Sequence, residues 1–154
     1  MNEREPKTTG GCLCGAVRYS YDGELGGSLG LVTQCHCGQC RKVQGGPASV
    51  APASAGAFEV TAGRSRVREF ESSPGKFRAF CERCGSPLYS RRAELPAAIR
   101  LRLGALDHPP PDLRIDAHIY WDDRATWEDS IDAPTYPAEE PSRSASTIIS
   151  DNIS

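Results

Sequence analysis

Three cysteines fall within six residues in Cys35-His36-Cys37-Gly38-Gln39-Cys40, and this spacing constrains the chain more than any other feature it has. Sulfurs so close in sequence can meet at one metal ion, but they leave a tetrahedral ion one ligand short. Structural zinc sites are closed by four protein ligands, whereas a zinc that does chemistry keeps three and leaves the fourth position to water or substrate. Two more groups, Cys12-x-Cys14 and Cys81-x-x-Cys84, bring the total to seven cysteines. The number is odd and the spacings are too tight for an ordinary disulfide framework, so metal is the first reading. The economical arrangement pairs Cys12 and Cys14 with Cys81 and Cys84 in a closed structural site and leaves Cys35, Cys37 and Cys40 to an open, catalytic one. That gives two zinc ions per chain. The alternatives are buried thiols and a redox role for Cys81-x-x-Cys84, a motif that belongs at a helix start near a βαβ unit.

The segments around the cysteines read as short strands and glycine turns. Ala16 to Tyr21 alternates apolar and polar side chains, Leu31 to Thr33 leads into Cys35, and Ala48 to Ala53 and Phe58 to Thr61 have strand composition. Gly45-Gly46-Pro47 limits any helix begun at Cys37 to about two turns. Lys76 to Phe80 alternates into Cys81, where Cys84-Gly85 closes a zinc knuckle, the glycine supplying the left-handed backbone such a turn needs. Leu88 to Ser90 leaves the knuckle as strand. The clearest alternation is Ala98 to Leu103, with Ile99, Leu101 and Leu103 on one face and Arg100 and Arg102 on the other. Pro109-Pro110-Pro111 marks a loop, and Ile115 to Trp121 returns as a strand. The expectation is a mainly β single domain over residues 10–137, flanked by a polar tail at 1–9 and a second tail at 138–154 that contains the isolated apolar run Thr147-Ile148-Ile149.

A chain of 154 residues with 38% hydrophobic side chains is sized for one core. Its formal charge of -2 lacks the basic excess of a nucleic-acid binder. No apolar run reaches the roughly 20 residues that span a bilayer, and Met1-Asn2-Glu3-Arg4-Glu5 lacks the apolar stretch of a signal peptide, so the expected location is the cytoplasm, with no membrane partner.

Taken together, Gly11-Cys12-Leu13-Cys14-Gly15, Cys35-His36-Cys37-Gly38-Gln39-Cys40, Phe80 through Leu88, the Gly104-Ala105-Leu106-Asp107 turn, and His118 with Trp127 resemble the glutathione-dependent formaldehyde-activating enzyme family, also called the S-hydroxymethylglutathione synthase family. The resemblance implies a β-tent fold with two zinc ions. It also implies that the outer pairs Cys12, Cys14, Cys81 and Cys84 hold the structural zinc and that Cys35, Cys37 and Cys40 hold the catalytic one. The implied activity is that of a carbon-sulfur lyase, which condenses formaldehyde with glutathione.

Glutathione carries two carboxylates and an ammonium, so cationic donors are expected near the open metal. Arg41 and Lys42 adjoin the knuckle, and Arg64, Arg66 and Arg68 would share a face if the segment were extended. His36, between two ligands, should point away from the metal, and His118 reads as a core or supporting group. Three readings stay open. A lyase requires an open three-sulfur site beside a pocket; a non-catalytic zinc-binding interaction module requires an exposed patch instead. A purely structural protein requires a fourth ligand from His36, His108, His118 or Asp107.

Overall fold

The computed structural model describes residues 7–129 and 132–138. The described chain packs as two units, one ending at Arg124 and one running on from Ala125. The first is mainly β, as expected. Its strands are β1 (Thr8–Gly11), β2 (Arg18–Tyr21), β3 (Thr33–Cys35), β4 (Ala48–Ser54), β5 (Phe58–Ala62), β6 (Val67–Ser73), β7 (Lys76–Cys81), β8 (Pro87–Arg92), β9 (Ala98–Arg102) and β10 (Ala117–Ile119), with one helix, α1 (Gly38–Gln44). Among the described residues no helix is long and apolar enough to cross a membrane.

The strands form two sheets. Three strands in the order β1-β2-β5 make the smaller, and seven in the order β10-β3-β4-β9-β8-β7-β6 make the larger. Period-two alternation explains how they pack. From β2, Tyr19 and Tyr21 turn inward with Val17 just ahead of them, and they meet Ala53, Ile99 and Leu101 of the large sheet in the main core. The tyrosine rings extend that core outward, Tyr19 meeting Phe58 at 5.0 Å and Phe58 meeting Tyr89 at 5.1 Å between centroids. Because Ile99 and Leu101 face this core, Arg100 and Arg102 are sent to the opposite face of the same sheet. A second, smaller cluster of Cys35, Cys40, Ala48 and Val50 sits around the end of β3.

Several boundaries differ from the expected ones. Thr8 and Thr9, assigned above to the tail, pair with Tyr21 and Ser20 as an edge strand, which their own polarity conceals. Residues 1–6 and the run Thr147-Ile148-Ile149 lie outside the described residues. The expected strand from Ile115 to Trp121 is paired only over Ala117–Ile119, in parallel with β3, and then turns at Tyr120, whose φ of 53° is the one left-handed non-glycine backbone among the described residues. Arg64, Arg66 and Arg68 do not share an extended face: Arg64–Arg66 is a turn of 3-10 helix, and only Arg68 lies on a strand. Leu103 likewise leaves β9 for a 3-10 turn, Leu103–Ala105.

Candidate metal centres

The loop after β1 and the loop after β7 carry the two outer cysteine pairs. Each is a tight turn with a glycine at φ 77°, Gly15 after Cys14 and Gly85 after Cys84. In the first, the amide of Gly15 donates to the carbonyl of Cys12 at 3.1 Å and the amide of Val17 to the Cys12 sulfur at 3.2 Å. In the second, the amide of Gly85 donates to the carbonyl of Cys81 at 2.8 Å. The first turn belongs to the small sheet and the second to the large one. Their four sulfurs all lie within 4.8 Å of one another, so the group brings the two sheets side by side at one end.

The donor set fits a cation. A tetrahedron with metal–sulfur bonds of about 2.3 Å has sulfur–sulfur edges of about 3.8 Å. Here Cys12 and Cys14 sulfurs are 3.5 Å apart and those of Cys14 and Cys81 are 3.9 Å apart. All seven cysteines are free of disulfides. The Ser86 hydroxyl, 3.1 Å from the Cys84 sulfur, is the main group lowering that thiol to about 5, which favours the thiolate form that a cation binds.

The second group is built by the end of β3 and the start of α1. Strand β3 delivers Cys35, the chain turns at His36 and Cys37, and α1 presents Cys40 one turn in. Cys37 caps the helix, its sulfur accepting from the amide of Cys40 at 3.4 Å. The helix ends where expected, at left-handed Gly45. The sulfurs of Cys35, Cys37 and Cys40 lie within 4.8 Å of one another. Burial pushes the Cys35 thiol up to about 12. Its neighbours oppose a second negative charge beside it, so deprotonation of all three requires a cation among them. Both groups could therefore hold a metal ion.

Among the described residues, no His, Asp or Glu joins the three-sulfur group. Asp107 is occupied elsewhere, bound by the Arg18 guanidinium and by the Thr9 hydroxyl at 2.8 Å. His36 is buried and turned from the sulfurs, its Nε2 2.9 Å from Nδ1 of His118 and its ring edge-on to Trp121 at 4.9 Å. His118 is exposed rather than in the core. Trp127 lies in the C-terminal unit, in the short 3-10 turn Thr126–Asp129, and is 64% exposed.

What lies beside the three sulfurs is a cavity of about 730 Å³, whose wall includes Cys35, Cys37 and Cys40. Six cations line it, Arg41, Lys76, Arg78, Arg92, Arg100 and Arg102, against the single carboxylate of Asp123. Strand register places them. Lys76 is opposite Arg92, Arg78 is opposite Ser90, and Ser90 is opposite Arg100, so strands β7, β8 and β9 present one charged floor on the face away from the main core. Arg102, opposite Val50 on β4, carries that floor toward the cysteines. Arg78 links the two features, its guanidinium 3.7 Å from the Cys40 sulfur and 3.3 Å from the Gln39 side-chain oxygen. Of the cations expected from sequence to serve the open metal, only Arg41 reaches the cavity; Arg66 and Arg68 are drawn to Glu82, at 3.1 and 2.6 Å. Lys76 and Arg78 were recognisable only as basic residues at alternate positions, and Arg92 only as the neighbour of Arg91, since nothing local says which strands lie side by side.

Residues 7–123 match the family model described as glutathione-dependent formaldehyde-activating enzyme. No curated protein matches the chain. Among solved structures, a crystal structure of a Rhodobacter sphaeroides protein, a structural-genomics target, is similar with a TM-score of 0.58 at 24% identity, over 71% of this chain and 98% of that one. This likeness bears on the fold alone.

Proposed function

The chain belongs to the glutathione-dependent formaldehyde-activating enzyme family, and from that premise we propose that it is a zinc-dependent carbon-sulfur lyase that adds a thiol, glutathione or a similar one, to formaldehyde or another small aldehyde. The observation that carries this reading is a three-sulfur group that no His, Asp or Glu joins among the described residues, set in the wall of a cationic cavity. Cys12, Cys14, Cys81 and Cys84 would hold a structural zinc, and Cys35, Cys37 and Cys40 a second, catalytic one, within the domain expected over residues 10–137.

When bound there, zinc supplies a Lewis-acidic position that lowers the pKa of an incoming thiol. Three thiolates around it leave little positive charge, which favours sulfur nucleophilicity over hydrolysis. The chain's own residues do the rest. The floor arginines bind anionic groups of the thiol substrate through charge-assisted, two-pronged hydrogen bonds and so fix its sulfur near the cysteines. Arg78, donating toward Cys40, keeps that ligand's charge and orientation. Asp123, the one carboxylate in the wall, faces a substrate ammonium. In the reaction the sulfur–carbon bond forms as the carbonyl π bond breaks, and the thiol proton ends on the new hydroxyl oxygen.

Exchange between formaldehyde and glutathione, followed by NMR with and without the zinc-loaded protein, tests the reading. Acceleration over the spontaneous reaction that is lost in Cys37→Ala is expected. Equal rates with and without protein would contradict it and leave the non-catalytic interaction module.

A further inference from the structure

The charge in the cavity exceeds what a glutathione-like thiol can neutralise. Lys76, Arg78, Arg92, Arg100 and Arg102 all rise from three adjacent strands. Neighbouring strands lie about 4.8 Å apart, so these groups crowd one another, and Lys76 stands directly opposite Arg92. Like charges in that relation are destabilising. Among the described residues, the wall opposes them with only Asp123 and the three cysteine sulfurs. Arg92 reaches Glu94 at 3.7 Å, a pair with both side chains about half exposed, and such pairs contribute little. Arg78 is bound by neutral Ser72 and Gln39 as well as by Cys40. Lys76, Arg100 and Arg102 make no ion pair among the described residues.

Two buried atoms in this floor have no hydrogen-bond partner among the described residues. Arg102 is 3% exposed and Ser90 1% exposed, yet Arg102 Nε and Ser90 Oγ make no hydrogen bond. Buried donors are almost always paired. Both residues line the cavity, so a ligand there completes what the fold leaves undone. Glutathione brings a net charge of only -1 at neutral pH and an ammonium that this floor repels. A phosphate monoester carries about -1.5 to -2 with three acceptor oxygens, and arginine forks match it two bonds at a time.

We propose that the floor formed by Lys76, Ser90, Arg92, Arg100 and Arg102 is a phosphate subsite, and that one of the two substrates carries a phosphate monoester. This deepens the lyase reading by naming the charge class of its substrate, and it rests on that reading only for turnover. Burial and the surrounding arginines keep Lys76 down at about 8, and burial lowers Arg102 to about 10, both in keeping with a floor that waits for an anion.

Calorimetry with inorganic phosphate on the zinc-loaded protein tests the subsite. One phosphate should bind per chain, and Lys76→Gln and Arg100→Gln should each weaken it about tenfold, the worth of one charge-assisted bond. Arg100 is exposed, so its replacement leaves the core intact. Without ligand both variants should melt at a higher temperature than the wild type, a gain that a merely structural role would not give. No phosphate binding, or variants that bind as the wild type does, would overturn the subsite. Turnover then locates the phosphate. Faster reaction of formaldehyde with 4′-phosphopantetheine than with glutathione assigns it to the thiol. Faster reaction of glutathione with glycolaldehyde phosphate than with glycolaldehyde assigns it to the aldehyde, and no preference in either pair overturns the substrate claim. Glutathione exchange accelerated by a protein that ignores phosphate would defeat this inference and spare the lyase; phosphate bound by a protein that turns over no pair would spare the subsite and defeat both the lyase and the substrate claim.

Discussion

Removing Cys14 and Cys84 together should destabilise the protein far more than removing Cys37, although each change empties one sulfur group. The reason is topological. Cys14 and Cys81 are 67 positions apart, and the ion between them would close that loop. In the chain-entropy treatment of cross-links, a loop of that length is worth about 4 kcal/mol, whereas the short loop from Cys35 to Cys40 is worth about 2 kcal/mol. Out of a total stability of about 5–15 kcal/mol for an ordinary domain, the first loss is the difference between a folded and a marginal protein. Cys14 is exposed, so its replacement by alanine opens no cavity in the core. Urea unfolding of zinc-loaded wild type, Cys14→Ala/Cys84→Ala and Cys37→Ala measures the contrast directly, since midpoints shift while slopes stay equal. The double variant should lose about 2 kcal/mol more than Cys37→Ala. If the two lose the same amount, or if a chelator leaves the wild-type midpoint unchanged, the four sulfurs do not staple the sheets and the reasoning fails.

Other substitutions probe the parts separately. Leu101→Ala, at a fully buried position in the main core, should cost about 2–5 kcal/mol in unfolding free energy, and a loss below about 1 kcal/mol would place the core elsewhere. Gly85→Ala meets no atom within 4 Å, so its cost should be that of left-handed backbone alone, about 1–2 kcal/mol, read as a lower urea midpoint. Lys76 gives a pH signature. Its native pKa of about 8 lies below the ordinary 10.5, so between those values the unfolded chain holds more protons than the native one, and stability rises with pH. The advantage of Lys76→Gln over the wild type should therefore be complete below pH 8 and shrink as pH rises through 8 toward 10.5; a difference independent of pH would mean that neither burial nor the neighbouring arginines hold Lys76 down.

The cysteines and the alternation of β9 were legible because each is a local pattern. Spacing alone grouped the sulfurs four and three, and Ile99 and Leu101 turned to the core as their period requires. The cationic face was not legible, because it is a product of strand order. Arg100 and Arg102 stood out as the polar side of β9, but Lys76, Arg78 and Arg92 join them only through the antiparallel neighbours β7 and β8. The run Arg64, Arg66 and Arg68 misled for a complementary reason. A 3-10 turn breaks its alternation, and Glu82 from the knuckle satisfies two of its guanidinium groups. Strand β6 escaped notice because it forms the outer edge of its sheet, where most of its residues are exposed and no apolar period is needed.

The number of sulfurs around each zinc, measured by X-ray absorption on the fully loaded protein, tests the central claim most directly. With one closed and one open site the average should be about 3.5, the mean of four and three, and it should climb toward four when a reactive thiol is added. An average that stays at its resting value in the presence of excess thiol, with the shortfall filled by a protein nitrogen or oxygen, would contradict the account.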